Sequence, residues 1–253
     1  MLPSFLICGL EHSGTTLVSD LFRQVDGVDS GFECGVLLCE CPEKFADFQP
    51  FASHMVKGWG VTQAEFEDCC KAPDFGEFYD RLSSSSRVLK PDVRRIFDKT
   101  PRYLSALEAV TNRAGGRPII VTFKDPRAIV ASDFKRASAQ DFNAWYGVYR
   151  PSKIAYLRTC YAEHVKAVGW PNVHCLSLEG LAMNARQVME RMFRHVGLEF
   201  RLKHTVLHNL RYKNTRGMSV QPEVVFDYLK VLSPVQQDQV SRDFGEFSQW
   251  FYH

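Results

Sequence analysis

A short polar loop near the amino terminus carries residues suited to binding an anion: His12, Ser13, Gly14, Thr15 and Thr16. An apolar run over residues 5–8 precedes the loop, and a run with helical periodicity over residues 15–22 follows it. A strand, a glycine-containing loop and a helix in this order direct successive backbone N–H groups and a helix N-terminus at one point. The pattern therefore predicts a phosphate or sulfate site formed by the N–H groups of residues 12–16 and the loop hydroxyls.

The spacing of this loop is that of the nucleotide-binding P-loop, G-x-x-x-x-G-K-[ST], from Gly9 to Thr16. Thr15 stands where that motif has its lysine. The lysine supplies the charge that reaches the β- and γ-phosphates of a nucleoside triphosphate. The loop is therefore predicted to hold an anion other than ATP or GTP.

A second segment places a cation and a hydroxyl beside a strand end. Residues 118–123 form an apolar run typical of a buried strand, and Lys124 follows directly. Asp125 suits the N-cap of a helix and Pro126 suits its first turn. Ser132 then lies about two turns along that helix. The spacing predicts that Lys124 and Ser132 both face a ligand.

Together these two segments resemble the sulfotransferases that use 3′-phosphoadenosine 5′-phosphosulfate (PAPS). The segment Asp98-Lys-Thr-Pro-Arg-Tyr103 is similar to the D/E-K-T-P motif of bacterial and tyrosylprotein-type members. The resemblance implies that residues from His12 to Leu17 hold the 5′-phosphosulfate and that Lys124 and Ser132 hold the 3′-phosphate. It also implies in-line transfer of the sulfonate to a hydroxyl or amine of a small-molecule acceptor, with release of PAP and no need for a metal.

The segment Thr215-Arg216-Gly217 stands where this family supplies a last loop to the 3′-phosphate. Arg216 and Gly217 are therefore further predicted nucleotide-binding residues. Lys124 replaces the usual arginine of the 3′-phosphate site, so Arg127, one turn into the helix, is an alternative or additional contact.

Three residues are predicted to be catalytic on the strength of the resemblance. His12 stands where relatives have arginine or lysine, and it either stabilises the leaving oxygen as an imidazolium or acts as the base when neutral. Glu33 resembles the acidic base of tyrosylprotein-type members. Lys99 is expected to contact the transferring sulfonate, and Asp98 to point toward the same edge.

The order of elements predicts an α/β fold. Strand-like runs over residues 4–9, 94–98, 118–123 and 173–177 alternate with helical patterns over residues 15–24, 103–113, 126–138, 153–168 and 184–196. This alternation favours a P-loop-like parallel sheet of about four to five strands with helices on both faces. Residues 1–253 are predicted to be one domain, with residues 42–93 as a helical cap that binds the acceptor or, alternatively, as plain helical core.

Composition narrows the class of protein further. A formal net charge of +2 gives no basic footprint for nucleic acid, and no apolar run is long enough to span a membrane. The eight cysteines include no C-x-x-C pair, and they are interpreted as reduced thiols of a cytoplasmic protein. Two other functions stay open: a non-catalytic anion- or nucleotide-binding relative and a P-loop kinase-like phosphotransferase. The acceptor and the oligomeric state are not predicted.

Overall fold

Strand β1, Leu6–Gly9, lies inside a four-stranded parallel sheet. The strand order is β4-β1-β5-β6, in which β4 is Asp98–Lys99, β5 is Ile119–Phe123 and β6 is Val173–Ser177. Ile7 pairs with Ile120, and Ile120 in turn with His174. The computed structural model describes residues 1–208 and 225–247. The predicted parallel α/β sheet is confirmed.

The predicted strand over residues 94–98 is divided between two sheets. Its first part, β3 at Arg95–Ile96, pairs in parallel with β2, Val28–Asp29, in a separate two-stranded sheet. Its last residue begins β4, which pairs with β1. The break falls at Phe97, whose fully buried ring stacks on Phe5 at 4.9 Å.

Helices cover both faces of the central sheet, as predicted. Leu6 and Cys8 pack on one face and Phe5 and Ile7 on the other, because neighbouring residues of a strand point to opposite sides. The helices outside residues 42–93 are α1 Thr15–Phe22, α5 Leu107–Arg113, α6 Pro126–Ala137, α7 Phe142–Ala167, α8 Leu178–Met183, α9 Ala185–His195, α10 Tyr228–Val231 and α11 Pro234–Asp243, within the described part of the chain. Helices α5, α6 and α7 supply the first face, and α1 and α9 the second.

Helix α7 starts far earlier than the predicted residue 153. Asp141 caps its first turn by accepting a hydrogen bond of 3.1 Å from the Ala144 N–H, and Phe142 stacks on Tyr146 at 5.0 Å. These contacts hold the first turns as helix although Pro151 lies within it. Other differences are smaller: residues 101–106 form a 3-10 helix ahead of α5, and α8 was not predicted.

Residues 42–93 are mostly helical, which agrees with the prediction for this segment. Helices α2 Phe51–Trp59, α3 Gln63–Cys70 and α4 Phe75–Ser85 lie here. Their buried aromatic side chains belong to the same core cluster as one face of the sheet. Within the described ranges, no helix combines the length and apolar character that crossing a membrane requires.

Candidate active site

The loop after β1 is shaped by two close approaches of its backbone, one to strand β5 and one to the start of helix α8. A Cβ on Gly9 would lie 2.2 Å from the Oγ1 of Thr122, so only glycine lets β1 pack this closely on β5. Gly14 has a φ of 88°, and a Cβ there would lie 2.6 Å from a methyl group of Leu178. Both positions therefore require glycine, and they fix the path of the loop between strand and helix.

The N-terminus of α1 is open to a ligand. The N–H groups of Gly14, Thr15, Thr16 and Leu17 form no backbone hydrogen bonds with the described residues, and no side chain caps the helix. Its first turn contains no acidic residue. Ser13, the residue before Gly14, does not cap the helix either, because its hydroxyl is bonded to Leu10 and Thr122. Unpaired N–H groups at a helix start favour an anion.

Ser13 plays a different part from the one predicted. Its side chain is fully buried, and its hydroxyl lies 2.5 Å from the carbonyl oxygen of Leu10 and 2.6 Å from the Oγ1 of Thr122. Its N–H also donates to the Leu10 carbonyl, at 3.1 Å. These contacts occupy both polar groups of Ser13. The Ser13 hydroxyl therefore holds the loop against the end of β5, in place of the predicted contact with the anion.

Lys124 is a buried cation at the carboxyl end of β5. Only 7% of the residue is exposed, and it forms no hydrogen bond or ion pair with the described part of the chain. Burial lowers the pKa of its ammonium, against the opposing influence of Glu179 and Asp227. Ser132, on α6, is partly exposed. A desolvated ammonium without an ion-pair partner is the environment that an anionic ligand would complete.

Arg127, the alternative to Lys124, already has partners. Its guanidinium forms a bidentate contact with Asp125, with distances of 2.5 and 3.1 Å to one carboxylate oxygen, and it lies over the ring of Tyr228 at 4.7 Å. Asp125 caps α6 as predicted, accepting from the Arg127 N–H at 2.8 Å. Lys124 is therefore the stronger candidate for an anion contact.

The structure brings two of the predicted catalytic residues together. The Nζ of Lys99 lies 2.7 Å from the Oε1 of Glu33. The Lys99 side chain is 2% exposed and that of Glu33 is 25% exposed, so only the carboxylate reaches solvent appreciably. The ammonium also lies 5.2 Å from the ring of Phe32. The pair is thus a partly buried contact at the end of β4.

Asp98 does not point toward this edge, which corrects the sequence prediction. It is fully buried and accepts hydrogen bonds from Tyr79 at 2.5 Å, Tyr103 at 2.6 Å and Thr100 at 2.9 Å. Burial raises the pKa of its carboxyl, although these hydrogen bonds oppose the rise. Asp98 and Lys99 are neighbours on one strand, so their side chains lie on opposite sides.

The Asp98 cluster also fixes the backbone that carries Glu33. The Cys34 backbone hydrogen-bonds to Asp98, and the Gly35 N–H donates to the Oγ1 of Thr100 at 3.2 Å. These bonds begin at the residue after Glu33. The D-K-T-P segment therefore positions the Glu33 loop as well as contributing Lys99.

Sequence reasoning missed Asp133, which contacts His12, and Lys153, which contacts Asp133. The Nε2 of His12 lies 2.8 Å from the Oδ1 of Asp133, and the Nζ of Lys153 lies 3.0 Å from the other oxygen of that carboxylate. Lys153 is buried and also lies 3.5 Å from Glu11. The one available signal was the position of Asp133, directly after Ser132. Arg216 and Gly217 lie outside the described residues.

The sequence matches the model of the sulfotransferase family over residues 3–201. No curated protein matches it. The fold is similar to that of the sulfotransferase domain from the Synechococcus PCC 7002 olefin synthase, with a TM-score of 0.62 and 15% identity over 95% of this chain and 93% of that one. It is also similar to a sulfotransferase from Alicyclobacillus acidocaldarius, with a TM-score of 0.58 and 14% identity over 99% and 94% of the two chains.

A mouse sulfotransferase solved in complex with PAP has a TM-score of 0.57 and 12% identity, over 96% of this chain and 83% of that one. At these identities the likeness concerns the fold. The family model covers most of the chain, including the loop after β1, the D-K-T-P segment and the segment from Lys124 to Ser132. The resemblance found in the sequence is thereby confirmed, and the chain belongs to the sulfotransferase family.

Proposed function

We propose that this sulfotransferase moves the sulfonate group from PAPS to a hydroxyl or amine of a small-molecule acceptor and releases PAP. The observation that carries the proposal is Lys124, a buried ammonium without an ion-pair partner among the described residues. It lies one strand away from the uncapped N-terminus of α1, because β1 and β5 are neighbours in the sheet. Two anion sites on adjacent strand ends suit a nucleotide with separate 5′ and 3′ phosphate groups.

In this proposal the acceptor oxygen or nitrogen attacks sulfur while the bond from sulfur to the bridging oxygen of the 5′-phosphate breaks. The N–H groups from Gly14 to Leu17 bind the phosphosulfate. Glu33 takes the acceptor proton, and Lys99, at 2.7 Å from Glu33, is placed to move from that carboxylate to the sulfonate. His12 faces the charge that develops on the leaving oxygen. Positioned donors and one base account for the catalysis.

The cap is proposed to form the acceptor side of the site. Helix α2 contacts the residue before Glu33: the Trp59 indole donates to the Phe32 carbonyl at 2.8 Å, and His54 lies edge-on to the Phe32 ring at 5.7 Å. An acceptor that reaches Glu33 would therefore meet α2. The shared core of cap and sheet supports a single domain over residues 1–253.

All eight cysteines are free thiols, and six of them are buried. These thiols support the proposed cytoplasmic location, because a reducing compartment keeps them unpaired. The kinase-like alternative is weakened by Asp125. A phosphotransferase would need a carboxylate for Mg²⁺ near the strand end, and the Asp125 carboxylate already caps α6 and binds Arg127.

A comparison of nucleotides tests the donor. PAP at about 100 times its dissociation constant should stabilise the protein by about 2.7 kcal/mol, whereas ADP, which lacks the 3′-phosphate, should raise the melting temperature less. ATP with Mg²⁺ should have little effect. Equal stabilisation by PAP and ADP would count against the 3′-phosphate site. Turnover of PAPS in an acceptor screen, read as PAP formation, then separates an enzyme from a binding protein.

A further inference from the structure

The Asp133 carboxylate on α6 receives three donors from two other elements. One oxygen lies 2.8 Å from the Nε2 of His12, and the other lies 3.0 Å from the Nζ of Lys153 and accepts a 2.6 Å hydrogen bond from the Tyr149 hydroxyl. Burial by itself would raise the pKa of Asp133, but the hydrogen bond from His12, the charge of Lys153 and the hydrogen bond from Tyr149 outweigh it and lower this pKa to about 2. The carboxylate is therefore ionised at neutral pH.

The contact with Asp133 determines which ring nitrogen of His12 is left for a ligand. An ionised carboxylate can only accept a hydrogen bond, so Nε2 carries the proton of this contact. The other nitrogen, Nδ1, has no hydrogen bond within residues 1–208 and 225–247. His12 also has a φ of 63°, so its backbone occupies the left-handed region within the anion-binding loop.

We propose that Asp133 is a positioning residue, which holds the His12 ring by Nε2 and makes Nδ1 the nitrogen that meets the sulfonate donor. This proposal rests on the proposed function, because it assigns His12 its task within that reaction. With a carboxylate at Nε2 and an anionic donor at Nδ1, both neighbours favour the imidazolium form. The sequence left two roles open for His12, cation or base, and this geometry selects the cation.

The assignment also completes the transfer step. The bond between sulfur and the bridging oxygen breaks, a new bond from sulfur to the acceptor atom forms, and the acceptor proton goes to Glu33. The electron pair of the broken bond stays on the bridging oxygen of PAP, where the Nδ1–H of the imidazolium stabilises it. His12 keeps its proton throughout, so no second base is needed.

The charged and titratable groups around His12 act in opposite directions. Asp133 on α6 favours the imidazolium, and Glu11 in the loop, which lies near Lys153, adds negative charge. Lys153 on α7 opposes the imidazolium, and Tyr149 on the same helix binds Asp133 as a neutral donor. Removing Asp133 or Lys153 should therefore change the electrostatic potential at His12 in opposite senses.

Nuclear magnetic resonance of ¹⁵N-histidine-labelled protein without nucleotide tests the positioning directly, with His12→Gln used to assign the signals. The neutral ring should carry its proton on Nε2. In Asp133→Asn the Lys153 ammonium and the Tyr149 hydroxyl still require an acceptor, so the amide oxygen should face them and the amide N–H should face Nε2. The neutral ring of this variant should therefore carry its proton on Nδ1, whereas Lys153→Met keeps the carboxylate and should keep the proton on Nε2. A neutral ring protonated on Nδ1 in the parent, or the same tautomer in the parent and in Asp133→Asn, would overturn the proposal.

Kinetics with PAPS supply the second measurement. Asp133→Asn should lower kcat roughly 10- to 100-fold, less than the loss of an entire donor at the leaving oxygen, while the KM for PAPS changes by less than about threefold. Asp243→Asn is the matched control: within residues 1–208 and 225–247 its polar contacts are with Tyr146, at 3.1 Å, and Arg150, both on α7, and none is with the loop. This control should leave kcat unchanged.

The two measurements separate the possible failures. If the parent does not turn over PAPS, the proposed function fails, while the resonance experiment still decides whether Asp133 holds His12. If the parent is active and Asp133→Asn keeps the parental kcat, the positioning role is refuted. If Asp133→Asn does not fold, the tautomer of the parent decides the question, and a neutral ring protonated on Nδ1 there refutes the proposal.

Discussion

Replacing Lys124 by methionine should weaken nucleotide binding and stabilise the empty protein at the same time. The substitution keeps an unbranched side chain of similar length and removes the charge. Only 7% of Lys124 is exposed, and burial lowers the pKa of its ammonium. A desolvated charge without an ion pair destabilises the folded state until an anion binds. The same group therefore favours binding and disfavours the empty fold.

The size of each effect follows from this environment. A hydrogen bond to a charged group contributes about 1.5–3 kcal/mol, so the dissociation constant for PAP should rise roughly 10- to 150-fold in Lys124→Met. Removing the unpaired charge should raise the free energy of unfolding of the empty protein by about 0.5–2 kcal/mol, as other single stabilising changes do. At roughly 2–4 °C for each kcal/mol, the melting temperature should rise measurably.

Calorimetric titration with PAP gives the dissociation constant, and thermal melts without nucleotide give the stability of the empty protein. Arg127→Met is the matched control, because that guanidinium binds Asp125 and lies over Tyr228. It should lower the melting temperature and affect PAP binding less than Lys124→Met does. A Lys124→Met variant that is less stable than the parent and binds PAP equally well would refute the reasoning, since its charge would then be satisfied within the protein.

Three further outcomes can be checked. Glu33→Gln should retain PAP binding while kcat falls roughly 10²- to 10⁴-fold, measured as initial rates of PAP formation; unchanged kcat would exclude Glu33 as the base. Tyr79→Phe removes one donor to the buried Asp98 and should cost about 1.5–3 kcal/mol in urea denaturation; a loss within error would show that Asp98 does not depend on this bond. Burial lowers the pKa of both His174 and His195, and the charge of His195 lowers that of His174 further, so the unfolded chain binds more protons than the folded one. The free energy of unfolding should therefore fall as the pH drops below about 6.5 through the folded-state pKa values. His174→Gln should reduce this acid sensitivity, measured by urea denaturation at pH 7.5 and 5.

Local chemistry made the sheet and the anion loop predictable. Each of their signals lies within a short stretch of sequence. These signals are the glycines of the loop, the apolar run before it, and Asp125 at the N-cap position of its helix. The order of strands and helices then led to a parallel sheet, because few connections are possible for that pattern. The position of Lys124 at a strand end also follows from the sequence alone.

The remaining features depend on contacts between distant parts of the chain. Asp133 and Lys153 meet His12 only because α6 and α7 pack beside the loop, and no local pattern encodes that packing. Ser13 has the residue type of a phosphate ligand, but the opposite strand supplies a partner, Thr122, that occupies its hydroxyl. Asp98 differs, because the alternation of side chains along β4 places it opposite Lys99 and hence in the core.

The contact between Ser13 and Thr122 fixes how two strand ends lie relative to each other. It joins the loop after β1 to the end of β5, and Gly9 pairs with Thr122 in the same ladder. Under the proposed function, the distance between the two phosphate sites is thus fixed by the strand register. Substitution of surface side chains can change the affinity for each phosphate, but it leaves this distance unchanged. On this proposal, discrimination against nucleotides with differently spaced phosphates would be a property of the backbone, and acceptor preference could diverge without disturbing it.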